Sequence, residues 1–186
     1  HPFLFMLGGA KFSTKIPLLE RFIDTADQVF IAGAIANSFY RVGGFEIGAS
    51  VTEEGYDSPI KKLLVSPKLL LPVDVVVLRG TKKVLCMLNE VQKADVIVDI
   101  GSQSVALVAQ KIKKAKVIVW NGPTGWYEKG FTKATTELAT AMKESKAYVV
   151  IGGGDTGAVV EKVLGESANW RKKIFISTGG GATLDF

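Results

Sequence analysis

Short apolar runs that end in glycine recur six times along this chain, and that repetition constrains the fold more than any other feature. Residues 3–7 run into Gly8-Gly9, residues 29–32 into Gly33, and residues 96–100 into Gly101. Residues 117–120 run into Asn121-Gly122-Pro123, residues 147–151 into Gly152-Gly153-Gly154, and residues 174–177 into Thr178-Gly179-Gly180-Gly181. A seventh run, 73–78, ends at Arg79-Gly80. The runs are rich in Val and Ile with little polar alternation, as expected of strands buried on both faces.

Helical spacing fills the intervals. Residues 16–26 carry apolar side chains at 16, 18, 19, 22, 23 and 26, with Pro17 tolerable in a first turn. Residues 104–115, 132–145 and 156–164 read the same way, while 42–71 is an irregular excursion with a helix or two. Strand, glycine and helix in repeated succession predict a parallel α/β fold. We expect a three-layer, Rossmann-like open parallel sheet of about six strands with helices on both faces. No linker divides residues 1–186, so a single domain is expected.

Ligands of such sheets bind at the carboxyl ends of the strands. The glycine clusters are expected along that edge, where their backbone N–H groups can approach a ligand closely. Composition narrows the ligand. The net charge is +5, but the lysines fall in scattered pairs without interleaved aromatics. That suits a polyphosphate better than nucleic acid. Cys86 is the only cysteine and His1 the only histidine, which excludes cysteine-based metal clusters and histidine triads. No apolar run reaches membrane-spanning length, so no membrane partner is expected and a reducing cytoplasm is the default. The chain opens on His1 rather than Met, and a fragment or a processed chain is expected.

Standard nucleotide motifs are missing. No G-x-G-x-x-G sits between strand and helix, which counts against a dinucleotide dehydrogenase. Gly43 to Gly48 and Gly152 to Gly157 have P-loop spacing, but Ala49 and Ala158 stand where the lysine belongs. Gly8-Gly9-Ala10-Lys11 offers a lysine instead, with Lys15 four residues on. At helical spacing these two would share a face at a helix start, an arrangement that an anion relieves. Gly152-Gly153-Gly154-Asp155-Thr156 precedes a helix, and Asp155 reads equally as its N-cap or as a carboxylate for Mg²⁺. Asn121-Gly122-Pro123 with Glu128 can line a base and ribose pocket, whereas Trp126 and Tyr127 read as packing residues.

Taken in order, these segments resemble phosphoglycerate kinase. GGAK with Lys15, AGAIANSF (32–39), DIG (99–101), WNGPTGWYE (120–128), GGGDT (152–156) and STGGGAT (177–183) match its C-terminal, nucleotide-binding domain over essentially the whole chain. The resemblance implies reversible phosphoryl transfer between 1,3-bisphosphoglycerate and MgADP, giving 3-phosphoglycerate and MgATP. It implies that Lys11 and Lys15 contact the phosphates and the transferring group, and that Asp155 holds Mg²⁺. Glu128 would hold the ribose hydroxyls, while Gly8, Gly9, Ala10, Gly33, Asn121, Pro123, Gly152, Gly153, Gly154 and Thr156 surround the nucleotide. Gly179 and Gly180, with Gly181, would aim N–H groups at the phosphoryl group in flight. The phosphoglycerate would meet an N-terminal domain to which nothing here corresponds, and the family's last C-terminal segment is incomplete. A monomer is implied.

The chain departs from the family pattern at Thr14 (usually Asp), Ala32 (Gly), Ile97 (often Gly), and Ser102 and Ser104 (Pro and Thr). Thr14, Ala32 and Ile97 motivate a second expectation, a diverged nucleotide-binding module without catalysis.

Overall fold

The computed structural model describes residues 2–165 and 172–177. Its larger sheet has six strands, all parallel: β1 (Phe3–Leu7), β2 (Gln28–Ile31), β3 (Leu69–Leu70), β7 (Val117–Asn121), β8 (Tyr148–Gly152) and β9 (Ile174–Ser177). Their spatial order is β3-β2-β1-β7-β8-β9. Six helices accompany them among the described residues: α1 (Ile16–Thr25), α2 (Gly33–Val42), α3 (Asp57–Leu64), α4 (Ser102–Lys114), α5 (Lys133–Glu144) and α6 (Gly154–Leu164). None is long and apolar enough to cross a membrane.

Burial on both faces explains the unbroken apolar runs. In β1, Leu4 and Met6 pack with Val108 and Ile112 of α4 and Leu138 and Met142 of α5. Phe5 and Leu7, alternating with them, pack with Leu18 and Leu19 of α1, Ile35 and Phe39 of α2, and Ile60 of α3. The result is the expected three-layer α/β architecture.

The strand inventory differs in one respect. Residues 96–100 form β6 (Val96–Ile100), which joins β4 (Asp74–Arg79) and β5 (Lys82–Met87) in a separate antiparallel sheet ordered β5-β4-β6. The sixth place in the parallel sheet goes instead to the two-residue β3. Five glycine clusters therefore follow strands of the parallel sheet, while Gly101 follows the small one. β4 and β5 meet through the two-residue turn Gly80-Thr81, where Arg79 pairs with Lys82. No hairpin is expected here from the sequence, because Lys82-Lys83 reads as one more solvated lysine pair, and β5 is indeed exposed at both residues.

Gly101 has a structural role. A Cβ there would lie 2.2 Å from the Asp74 carboxylate. Without it, the buried Asp74 of β4 reaches the start of α4 and accepts from the N–H groups of Gln103 (2.9 Å) and Ser104 (2.8 Å). The Ser104 hydroxyl donates to the same carboxylate at 2.5 Å and receives the Val73 N–H at 2.9 Å. A carboxylate from the small sheet thus caps a helix of the large one.

Removing it strands several buried donors at once. Asp74→Ala is expected to cost about 3 kcal/mol in urea unfolding, and Asp74→Asn visibly less, since the amide keeps one acceptor. Equal losses for the two variants would refute the capping account.

Candidate functional site

The strand order reverses between β1 and β7, where the chain proceeds outward to β2 and β3 on one side and to β8 and β9 on the other. Loops diverge at such a switch point and leave a crevice at the carboxyl ends. A cavity of about 330 Å³ opens here. One wall is Gly9, Ala10, Gly33, Asn37 and Tyr40, and another is Pro123, Thr124, Gly125, Trp126 and Glu128. The third is the small sheet, through Val75, Ile97, Val98 and Asp99, with Val51 and Asp155 at the rim. β6 therefore reaches the site although it lies outside the parallel sheet.

The glycine loops build this floor differently from the sequence expectation. The Gly8 N–H donates to the Asn121 carbonyl (2.8 Å), that of Gly9 to Pro123 (3.0 Å), and that of Gly33 to Thr124 (3.1 Å). Ile35 in turn donates to the Gly9 carbonyl (3.1 Å). These N–H groups are spent on neighbouring loops rather than aimed outward. Gly33 shows why glycine is needed: its φ is +64°, and a Cβ would sit 2.6 Å from the Gly9 nitrogen.

The two lysines are also placed differently from a helical pair. α1 begins at Ile16, with Lys15 as its N-cap and Lys11 in the exposed loop before it. Between them Phe12 is buried, and its carbonyl accepts from Lys15 N–H at 2.8 Å. The half-buried Lys15 ammonium donates to Asn121 Oδ1 at the end of β7. Burial lowers its pKa, because partial loss of water disfavours the charged form. A neighbouring anion would reverse that shift.

Asp155 is the second residue of α6, whose N-cap is Gly153 at φ +92°, so the N-cap reading of Asp155 does not hold. Its exposed carboxylate faces the cavity, while Gly152 ends β8 beside Asn121 and Gly154 opens the helix without a side-chain cap. Among the described residues no three Asp, Glu, His or Cys side chains gather as a metal cluster. One carboxylate suits a Mg²⁺ that keeps its waters and is carried by phosphates. Trp126, expected in packing, is 38% exposed and lines the cavity, with the Lys129 ammonium 5.8 Å from its ring centre. Gly179 and Gly180 lie outside the described residues.

Five buried side-chain polar atoms have no hydrogen-bond partner among the described residues: Asn37 Oδ1, Tyr40 Oη, Arg41 Nε, Asn121 Nδ2 and Thr156 Oγ1. Asn37 and Tyr40 line the cavity. The Asn37 amide nitrogen donates to the Val51 carbonyl (2.9 Å), which fixes its oxygen as an acceptor. Burial, and secondarily the Asp74 carboxylate, push the Tyr40 phenol up, so it stays protonated as a donor. An apolar cavity with an acceptor and a donor unmet inside it fits a planar heterocycle. The sequence did not single out these two residues, since 33–42 was not read as a helix facing the site.

Asp99 organises the same wall. Its Oδ1 accepts from the Thr124 hydroxyl (3.0 Å) and the Ile100 N–H (2.9 Å), and its Oδ2 from the Ala134 N–H at the start of α5 (3.2 Å). Burial outweighs these donors and pushes the carboxyl up to about 6.

The family model for phosphoglycerate kinase matches residues 1–186. Phosphoglycerate kinase of Clostridium perfringens is 39% identical over 100% of this chain and 48% of its own length. That of Helicobacter hepaticus is 35% identical over 99% of the chain and 47% of its own. The solved structure of phosphoglycerate kinase from Coxiella burnetii superposes with a TM-score of 0.88 at 36% identity, covering all of this chain and 49% of that one. The chain thus spans about half the length of the relatives it matches.

A folded pKa above the unfolded value means that Asp99 supports folding most below about pH 4, and that this support fades as pH rises to about 6. The difference in unfolding free energy between the native chain and Asp99→Asn is therefore expected to move against the native chain by about 2 kcal/mol from pH 4 to 7. A difference that stays flat with pH would refute it.

Proposed function

Because the chain belongs to the phosphoglycerate kinase family, we propose that it is the nucleotide-binding half of such an enzyme and holds MgADP or MgATP in the switch-point cavity. The observation that carries this reading is the pairing of an apolar cavity, with unmet polar atoms inside, to a cationic loop on the same sheet edge. The base enters between α2 and β6, against Ile97, Asn37 and Tyr40. Glu128 meets the ribose hydroxyls, and the phosphates run past Gly9 and Ala10 toward Lys11, Lys15, Asn121 and the start of α6.

In the forward reaction an oxygen of the ADP β-phosphate attacks the acyl phosphorus of 1,3-bisphosphoglycerate. The bond from phosphorus to the carboxyl oxygen breaks, and 3-phosphoglycerate leaves as its carboxylate. Such a transfer asks for positioning and charge neutralisation more than for covalent chemistry. Lys15, already partly stripped of water, neutralises the oxygens of the moving group more strongly than a solvated ammonium would. Asp155 would hold Mg²⁺ together with the nucleotide, and the ion would supply charge screening between the phosphates. Gly179 and Gly180 are assigned to the transferring group on the family resemblance alone. The phosphoglycerate is carried by a further domain, so this chain by itself binds nucleotide with little turnover.

A nucleotide-holding module without catalysis is the second reading, and Ile97 favours it, because it brings a branched side chain to the cavity wall where the family often has glycine.

Calorimetry on the 186-residue chain is expected to show MgATP binding that Lys15→Ala weakens about 10- to 100-fold, with smaller losses for Lys11→Ala and Asp155→Ala. No nucleotide binding, or binding indifferent to all three changes, would overturn the site. Fusing a phosphoglycerate-binding domain upstream is expected to yield kinase activity, and a fused protein that binds MgATP yet stays inactive would favour the second reading.

A further inference from the structure

Glu53 belongs to none of the motifs above, yet it joins the two ends of the site. We propose that it is a positioning residue for the turn that carries Lys11 and Lys15, an inference that rests on the phosphate-binding reading of those lysines. Its half-buried carboxylate takes both donors of Ser13: the backbone N–H on Oε2 and the hydroxyl on Oε1, each at 2.9 Å. Ser13 stands midway between the two lysines. The adjoining Phe12 is the turn's other anchor, its ring edge-on to Phe39 and Tyr56 with centroids 5.7 and 5.3 Å apart. Thr14 closes the turn through its hydroxyl on the Lys11 carbonyl (3.0 Å), and Lys15 through its N–H on Phe12.

The segment that holds Glu53 is itself fixed. Asn37 of α2 donates to the Val51 carbonyl, and the hydroxyls of Ser38 and Thr52 are 2.9 Å apart. Val51 lines the cavity. Three consecutive residues therefore touch the base cavity, α2 and the lysine turn in succession. A carboxylate suits the last position, since each of its oxygens can accept one of the two Ser13 donors, whereas an amide offers one acceptor oxygen. Holding Ser13 fixes the backbone from which both ammonium groups reach the phosphates, and small displacements of such groups are costly.

Adenosine and ATP separate the two halves of the site in a binding assay on the whole chain. The native chain is expected to bind ATP more tightly than adenosine, and a ratio near one would overturn the phosphate reading itself and this inference with it. Given a native preference, Glu53→Ala is expected to weaken ATP about tenfold while moving adenosine less than twofold, with Glu53→Gln restoring part of the difference. A merely structural role would weaken both ligands together, and that result, like an unchanged ratio, would overturn the proposal. Should Glu53→Ala fail to fold, Ser13→Ala removes only the hydroxyl bond. It is expected to lower the same ratio by a smaller factor, and an unchanged ratio there would count equally against the proposal.

Discussion

Direct backbone contact between the loops that follow β1, β2 and β7 is the constraint on which the site depends. Gly8 bonds to Asn121, Gly9 to Pro123 and Gly33 to Thr124, and the loops pass so closely that a Cβ on Gly8 or Gly122 would lie 2.2 Å, and one on Gly33 2.6 Å, from the neighbouring backbone. Their interlock holds the crevice open at the point where strand order reverses. It also brings Asn121 of β7 to Lys15, which arrives from β1 by way of the turn. Without it, the cation and its partner would belong to two independent loops. Glycine here serves loop against loop first and ligand second.

Two buried carboxylates tie the small sheet to this frame. Asp74 caps α4 and Asp99 caps α5, so helices of the parallel sheet are terminated by side chains of the antiparallel one. Each satisfies N–H groups that a helix start leaves without partners. The attachment has a cost at Asp99, whose carboxyl is pushed up to about 6 by burial. In return the small sheet closes the cavity with Ile97 and Val98. The DIG motif thus combines a clamp, Asp99, with a clearance, Gly101, and the cavity wall is a consequence of both.

Much of this was legible in the chain. The apolar runs of β1, β2, β7, β8 and β9 announce themselves because strands buried on both faces need no polar alternation. α1, α4, α5 and α6 follow from one-sided apolar spacing. The sequence order of the motifs pointed to the family that the comparisons show. β6 was misplaced, because an apolar run before glycine does not reveal which sheet it joins. β5 was missed for a related reason: it is an edge strand, and its exposed lysines look like surface.

What the sequence determined by itself is local: which segments are strands or helices, where the backbone must be glycine, and which charged residues sit beside those glycines. Tertiary structure decided what those residues face. Spacing made Lys11 and Lys15 a helical pair, but the turn around the buried Phe12 separates them and sends Lys15 to Asn121. Asn37 lies inside the AGAIANSF motif and Tyr40 directly follows it, yet neither reads as a site residue, and nothing near Glu53 marks it, since their partners lie at Val51, in the cavity and at Ser13. A hydrogen bond between residues forty apart is fixed by packing, and packing is a property of the whole fold.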